Sequence, residues 1–433
     1  MIIVCEPQCK GISHEKVNSG FIYGLRLAYP KEKITFFADT SHFKELKNIF
    51  KSNSVSIKDL KHIPISFSAD KSFSIGGIIL YYLLFRKIFG QLLSLGTNKL
   101  FFLSTSPIIL FTIKKLKQLK KYEDICCTFV LHGELEDIAN ANHKEPYISV
   151  IESKPAPLNF REAMVKLLKH RDKIPLFISE KLSQPFSRLY LAYTLIFKKI
   201  FRVKKMMMWQ HSSQYKYISL SPHVTENAKK YIDTDYLNFR TIILPIIFAK
   251  PTSPTNNKFI KFAVFGYGDS AQMHKMLSLL SKKQISKPYE IRIISMDSRG
   301  TEGFPNVRIL SQGKVLTRKK MENSLPDIDV FINLYDINRH RFGCSLSILE
   351  AFSYLKPVLH LSNPGYNYFN KPEKPIGFRV DNLNEFVVKM YDMIENFPRY
   401  KNNLAIFREN MLEYRKVYAI ENSLDSLRKS FTF

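Results

Sequence analysis

Short apolar runs recur along this chain at intervals filled by helix-length amphipathic segments, and that alternation restricts the fold more than any other feature. Ile2 to Cys5, Ile34 to Ala38, Leu100 to Leu103, Cys126 to Leu131 and Tyr217 to Leu220 are apolar on nearly every residue, which predicts strands covered on both faces. Lys16 to Ala28, His42 to Phe50, Pro107 to Lys120 and a segment opening at Ser221 with Pro222 in its first turn predict helices between them. A strand covered on both faces needs helices above and below it. The rhythm therefore predicts an α/β chain with doubly wound, Rossmann-like parallel sheet.

One interruption divides the pattern. Lys250 to Lys258 reads Lys-Pro-Thr-Ser-Pro-Thr-Asn-Asn-Lys, and two prolines among polar residues suit neither a sheet interior nor the middle of a helix. The rhythm then restarts, with strands expected at Phe259 to Phe265, Glu290 to Ser295, Val330 to Leu334 and Pro357 to Leu361, and helices at Ala271 to Ser281, Ser345 to Tyr354 and Leu383 to Asn396. We expect a domain over 1–249, a second over 250–400, and a cleft between them. Residues 401–433 are expected to form a helical segment that packs back on the first domain, since Tyr400 to Phe431 contains no Gly or Pro to break it.

With 433 residues, 45% hydrophobic and 24% charged, the chain has ample material for buried cores, and collagen-like or wholly disordered classes are excluded. Lys and Arg number 65 against 38 Asp and Glu, a formal charge of +27, which favours an anionic partner: nucleic acid, an acidic membrane or a phosphorylated substrate. Five cysteines without a Cys-x-x-Cys pair suggest free thiols in a reducing compartment. Met1 leads straight into an apolar strand with no basic leader, so export is not expected. The greasiest stretch, Ile75 to Phe85, ends at Arg86 and Lys87 and is too short to span a bilayer, so no transmembrane helix is expected.

The segment richest in chemistry runs from Asp329 to Tyr366. After a strand, Gly343, Cys344 and Ser345 open a helix whose free N–H groups and positive dipole end suit a phosphate. Glu350 follows about one and a half turns later, where a carboxylate can accept two hydrogen bonds from a ribose diol. The same residues would also suit an ordinary βαβ unit, with Ser345 as a cap and Glu350 in solvent. Phe-Gly-Cys-Ser-Leu-Ser-Ile-Leu-Glu-Ala-Phe-Ser-Tyr-Leu-Lys-Pro-Val, from Phe342, resembles the nucleotide-sugar signature of GT-B glycosyltransferases of the glycogen-synthase-like, family 4 kind. That resemblance implies two Rossmann-like domains facing a cleft, a donor ribose held by Glu350 and a diphosphate held by Gly343, Cys344 and Ser345. One position departs from the family: its first Glu, eight residues before the second, is replaced by Phe342, so either Asp336 or Asn333 serves the sugar or the catalytic pattern differs.

Further expectations follow from position. Gly266 and Gly268 end the first strand of the second half, where a phosphate or sugar can approach the backbone. Lys275, Arg339 and Arg341 are phosphate partners by location. His132 and Glu134 follow a strand of the first half, and a His there resembles a donor-sugar contact or acid/base group of similar enzymes. His14 and Asn18, in the first turn, resemble the acceptor-side loop. Basic aromatic stretches at Ile108 to Lys121 and Phe197 to Lys205 suggest attachment to an anionic membrane. Together these imply a metal-independent glycosyltransferase, without a cofactor beyond its nucleotide-sugar donor, acting on a glycan or lipid-linked acceptor in surface polysaccharide synthesis at the inner face of a membrane. The Asp-x-Asp matches at 233–235 and 327–329 are discounted as cation sites. A sugar-nucleotide 2-epimerase of the same fold, or a non-enzymatic nucleic-acid-binding protein, are the rivals, although no nucleic-acid module is recognisable.

Overall fold

The computed structural model describes residues 1–57, 59–65, 75–136, 200–265, 270–294, 300–311, 318–335 and 342–431, with 138, 298 and 316 as single residues. In the first half, strands β1 (Ile2–Glu6), β2 (Ile34–Ala38), β3 (Leu60–Pro64), β4 (Lys99–Phe102), β5 (Cys126–Leu131), β6 (Tyr215–Ser219) and β7 (Phe239–Thr241) form a sheet in the order β3-β2-β1-β4-β5-β6-β7. The second half orders β10 (Val307–Ile309), β9 (Glu290–Ile293), β8 (Lys261–Val264), β11 (Val330–Asn333), β12 (Val358–Leu361) and β13 (Gly377–Val380) in the same manner. Every pairing is parallel. Both sheets reverse direction once, between β1 and β4 and between β8 and β11, and each reversal opens a crevice at the strands' carboxyl ends.

The nine inner strands are the nine that apolar runs predict. Edge strands β3, β7, β10 and β13 are not predicted by such runs, because each is exposed along one side and carries polar residues among apolar ones. Pro64, which cannot donate to a ladder, ends β3 at the edge.

Helices α1 (Glu15–Ala28), α2 (Thr40–Ser52), α3 (Ile75–Ser94), α4 (Pro107–Lys117), α5 (Val203–Met208) and α6 (Pro222–Lys229) accompany the first sheet. The second has α7 (Ser270–Leu280), α8 (Arg318–Asn323), α9 (Leu346–Tyr354), α10 (Pro364–Asn367), α11 (Leu383–Glu395), α12 (Phe397–Val417) and α13 (Leu424–Phe431). One apolar cluster joins the halves: Phe21, Phe101 and Ile246 share it with Phe265, Ile348 and Phe352. Gly20 allows the approach, since a Cβ there would lie 1.9 Å from the Pro245 carbonyl oxygen.

The unbroken terminal helix expected over Tyr400 to Phe431 is interrupted by a 3₁₀ turn at Ile420–Ser423. That turn lets α13 fold onto α1, where the Tyr29 hydroxyl donates to the Arg428 carbonyl at 3.1 Å. On the way, Arg408 donates to the carbonyls of Leu355 and Thr252, both at 2.6 Å, tying α12 to the chain that links the halves.

Two sequence expectations need correction. The apolar residues of Ile108 to Lys121 expected to enter lipid are turned inward: Ile108, Ile109, Leu110, Ile113 and Leu116 are fully buried under the sheet, leaving Lys115, Leu119, Lys120 and Lys121 exposed. Lys114, also buried, donates to the carbonyls of Met207 at 2.8 Å and Trp209 at 2.5 Å, and burial lowers its pKa to about 7. Lysine spacing alone could not distinguish a solvated face from cations turned inward onto carbonyls. The apolar stretch starting at Ile75 does not stop at Arg86 and Lys87 but continues as the 20-residue α3, long and apolar enough to cross a membrane by length and composition. Tyr81, Phe85, Ile88, Phe89 and Leu92, spaced three and four apart, nevertheless bury one face of α3 in the core beneath the first sheet.

Candidate functional site

The crevice of the first sheet collects buried polar groups at the carboxyl ends of β1, β4 and β5. Glu6 closes β1 and accepts from the backbone N–H groups of Gln8 (2.9 Å) and Cys9 (3.1 Å), from the Ser104 hydroxyl, and from Asn18 Nδ2 (2.9 Å). Those bonds fix the loop that leads into α1. Asn18 Nδ2 also faces His42 Nε2 at 2.9 Å, while His42 Nδ1 lies 2.8 Å from the Gly11 carbonyl. A carbonyl can only accept, so His42 carries its proton on Nδ1 and receives the Asn18 amide on Nε2.

His14 enters α1 in the left-handed region, with φ at 52°, and its ring meets that of His132 edge-on, centroids 4.6 Å apart. Burial, then the neighbouring His132 and His42, lower the His14 pKa to about 3, so the ring is neutral at physiological pH. His14 Nδ1 and Asn18 Oδ1 are buried without a hydrogen-bond partner among the described residues. His132 Nε2 lies 2.6 Å from the Leu103 carbonyl, which fixes the proton of the neutral ring on Nε2 and leaves Nδ1 as the basic nitrogen.

Across the cleft, Ser345 is the N-cap residue of α9, and Phe342, Gly343 and Ser345 are buried. Glu350 is buried as well, not in solvent, and the opposite half reaches it: Lys16 from α1 pairs with Oε2, while Arg318 of α8 sits 3.1 Å from Oε1. Arg318 also lies 3.5 Å from Glu15. Burial raises the Glu350 pKa, opposed by Arg318, and burial takes the Glu15 carboxyl to about 8, again against Arg318. A second bridge joins the turn itself: Glu136, a helical residue five positions after β5, accepts from the Phe342 N–H at 2.7 Å. The Phe342 ring meets Tyr231 at 5.6 Å within the apolar core of the first half.

No family model matches this chain, and no curated protein sequence does. Solved structures do match over its full length. A glycosyltransferase from Rickettsia africae superposes with a TM-score of 0.55 at 13% identity, covering 99% of this chain and 96% of that one. The Anabaena protein HepE, solved in complex with UDP and glucose, gives 0.55 at 10% identity with 99% of both chains covered. The lipopolysaccharide outer core galactosyltransferase WaaB, in its apo form, gives 0.52 at 10% identity, covering 99% of this chain and 98% of that one. The fold is GT-B.

The GT-B cleft brings the expected residues together in two groups. His14, Asn18, His132 and Glu134 line the first crevice, and Gly343, Cys344, Ser345 and Glu350 stand at the second. Glu134 spends an oxygen on the His132 backbone N–H, at 2.6 Å, and so braces the turn that carries the ring. Lys275 is exposed on α7, and no described contact ties it to either group. Gly266, Gly268, Asp336, Arg339 and Arg341 lie outside the described residues. Asn333 ends β11 in the second crevice, its Oδ1 accepting from the Tyr335 N–H at 3.1 Å. The second Asp-x-Asp match lies before β11 and is engaged structurally, Asp327 by Arg292 (2.5 Å) and Asp329 by Asn257 (2.9 Å). Sequence reasoning missed Glu6, Glu136 and Arg318. Glu6 had a visible signal, an acid directly after a fully apolar strand; the other two act across long stretches of chain and had none.

Proposed function

We propose that this protein is a glycosyltransferase of the glycogen-synthase-like, family 4 kind, moving a sugar from a nucleotide diphosphate sugar to a glycan or lipid-linked acceptor. Its setting in this proposal is surface polysaccharide synthesis at the cytoplasmic face of an anionic membrane. The observation that carries the proposal is Glu350: a buried carboxylate on the helix behind a small-residue turn, in a GT-B fold, met by Lys16 from the other half. HepE, solved with UDP and glucose, and WaaB, a lipopolysaccharide galactosyltransferase, share this fold and support the donor and acceptor classes.

In the proposed reaction Glu350 accepts from the ribose hydroxyls, and the N–H groups of Gly343 to Ser345 meet the diphosphate. The bond between the anomeric carbon and the diphosphate oxygen breaks, and a bond from an acceptor hydroxyl to that carbon forms. The hydroxyl proton passes to a base, for which His132 Nδ1 is the available nitrogen, and the electron pair leaves with the nucleoside diphosphate. No metal is needed for these steps. His14 and Asn18 offer their unpartnered atoms to sugar hydroxyls.

A thermal-shift screen with UDP, GDP, CDP and ADP tests the proposal, because a ligand that binds only the folded state raises its melting temperature. One nucleoside diphosphate should stabilise the protein well above the rest. Indifference to all four, with salt-sensitive binding to random oligonucleotides, would favour the nucleic-acid rival instead.

A further inference from the structure

With the apolar face of α4 buried, the exposed apolar side chains among the described residues of the first half are most numerous on α3, while of the expected stretch at Phe197 to Lys205, whose residues 197–199 lie outside the described residues, Ile200, Lys204 and Lys205 are exposed. Ile79 and Leu83 are 54% and 55% exposed, and Leu80 and Leu93 are also exposed, on the face opposite the one that packs beneath the sheet. Arg86 and Lys87 stand in the middle of that face, and Leu95 continues it past the helix end. Isolated exposed leucines are ordinary, but Ile79, Leu80, Leu83 and Leu93 share one face of α3, with Arg86, Lys87, Gly90 and Ser94 between or beside them, and so form an apolar and basic stripe.

We infer that the outer face of α3 is the surface by which this protein lies on an anionic lipid bilayer, its leucines and isoleucine entering between headgroups and Arg86 and Lys87 meeting lipid phosphates. The helix is already held flat against the sheet by Tyr81, Phe85, Phe89 and Leu92, so it is presented in the plane of a membrane rather than across it. Charge selects the occupant. Each copy of the chain carries +27, and in a symmetric pair built on this stripe Arg86 and Lys87 would be brought toward like charges of the second copy. An anionic bilayer offers the opposite sign, and long cationic side chains can lay their stems on acyl chains while their heads stay among phosphates. The inference gives the proposed membrane setting its attachment surface. Its physical basis, an apolar and basic stripe, requires neither donor nor acceptor.

The test is sedimentation of the full chain with vesicles of phosphatidylcholine alone, or with about one third phosphatidylglycerol, at low and high salt. Wild type should bind only the anionic vesicles and be released by salt. Leu80→Ser with Leu83→Ser, and separately Arg86→Glu with Lys87→Glu, should each weaken binding at least about tenfold, because each basic residue near such a surface is worth roughly fivefold. Lys204→Glu with Lys205→Glu, on the other basic stretch that the sequence offers for attachment and both exposed on α5, should weaken binding less than either α3 variant. Circular dichroism and an unchanged melting temperature establish that the variants are folded. Binding lost in the α5 variant but kept in both α3 variants would overturn the inference. So would no vesicle binding combined with concentration-dependent self-association that Leu83→Ser abolishes. Vesicle binding through α3 by a protein that ignores every nucleotide would leave this surface standing and remove the glycosyltransferase proposal.

Discussion

Lys16→Met should make the protein less stable and its nucleotide binding tighter. Lys16 pairs with Oε2 of Glu350 and Arg318 with Oε1, so a ribose diol approaching the carboxylate competes with the Lys16 ammonium for Oε2. Breaking a buried ion pair by removing one partner generally costs about 3–5 kcal/mol. Here Arg318, 3.1 Å from Glu350, still compensates the charge, and the methionine stem keeps the packing of Lys16 near the Tyr354 ring, so we expect a loss of about 1.5–2.5 kcal/mol. On the binding side, the displaced ammonium gives up a charge-assisted bond but regains water, which leaves a net gain of about 1 kcal/mol, or roughly fivefold in Kd, when Lys16 is absent. Urea melts give the first number and calorimetric titration with the stabilising nucleoside diphosphate gives the second. A folded Lys16→Met protein that binds the nucleotide equally or more weakly would refute the competition between Lys16 and ribose.

His132→Ala should lower turnover by more than about tenfold while leaving nucleoside diphosphate affinity within about twofold, since the ring stands in the crevice opposite Glu350; steady-state kinetics beside calorimetry check the split. His14 makes stability depend on pH in a definite direction. Because burial lowers its pKa from 6.5 to about 3, the folded protein binds fewer protons than the unfolded chain between those values, so its contribution is complete above pH 6.5 and is lost as pH falls. Urea melts between about pH 7 and pH 5 should therefore show His14→Gln losing less stability than wild type, by up to about 1.4 kcal/mol per pH unit below 6.5. Phe342→Ala should destabilise by about 3–5 kcal/mol, because its ring fills the apolar core of the first half beside Tyr231; a differential scanning measurement on the variant reads it.

What was legible in the sequence follows the burial of each element. A strand covered on both faces is mostly apolar, so β1, β8 and their inner neighbours announce themselves even where Lys216 or Arg292 interrupts a run, whereas edge strands such as β3 and β13 leave residues such as Lys61 or Arg379 exposed. The motif from Phe342 to Val358 was legible because its turn and helix are local. The contacts that reach it from the other half are not local: the ion pair of Lys16 with Glu350 spans 334 residues, and the hydrogen bond from the Phe342 N–H to Glu136 spans 206. Spacing can place a carboxylate on a helix face, yet it carries no information about which cation the other half delivers. The basic stretch at Ile108 to Lys121 misled for a related reason, since Lys114 finds its carbonyl partners at Met207 and Trp209, far along the chain, and Lys117 reaches the Gln214 side chain at 2.5 Å.

The central claim, that Glu350 holds the ribose of a nucleotide donor, is tested most directly by titrating the stabilising nucleoside diphosphate and its 2′-deoxy analogue into wild type and Glu350→Gln. Wild type should prefer the ribose form by about tenfold, the scale of one charge-assisted hydrogen bond, and Glu350→Gln should lose most of that preference. Equal affinity of wild type for the two nucleotides, or an undiminished preference in the variant, would contradict it.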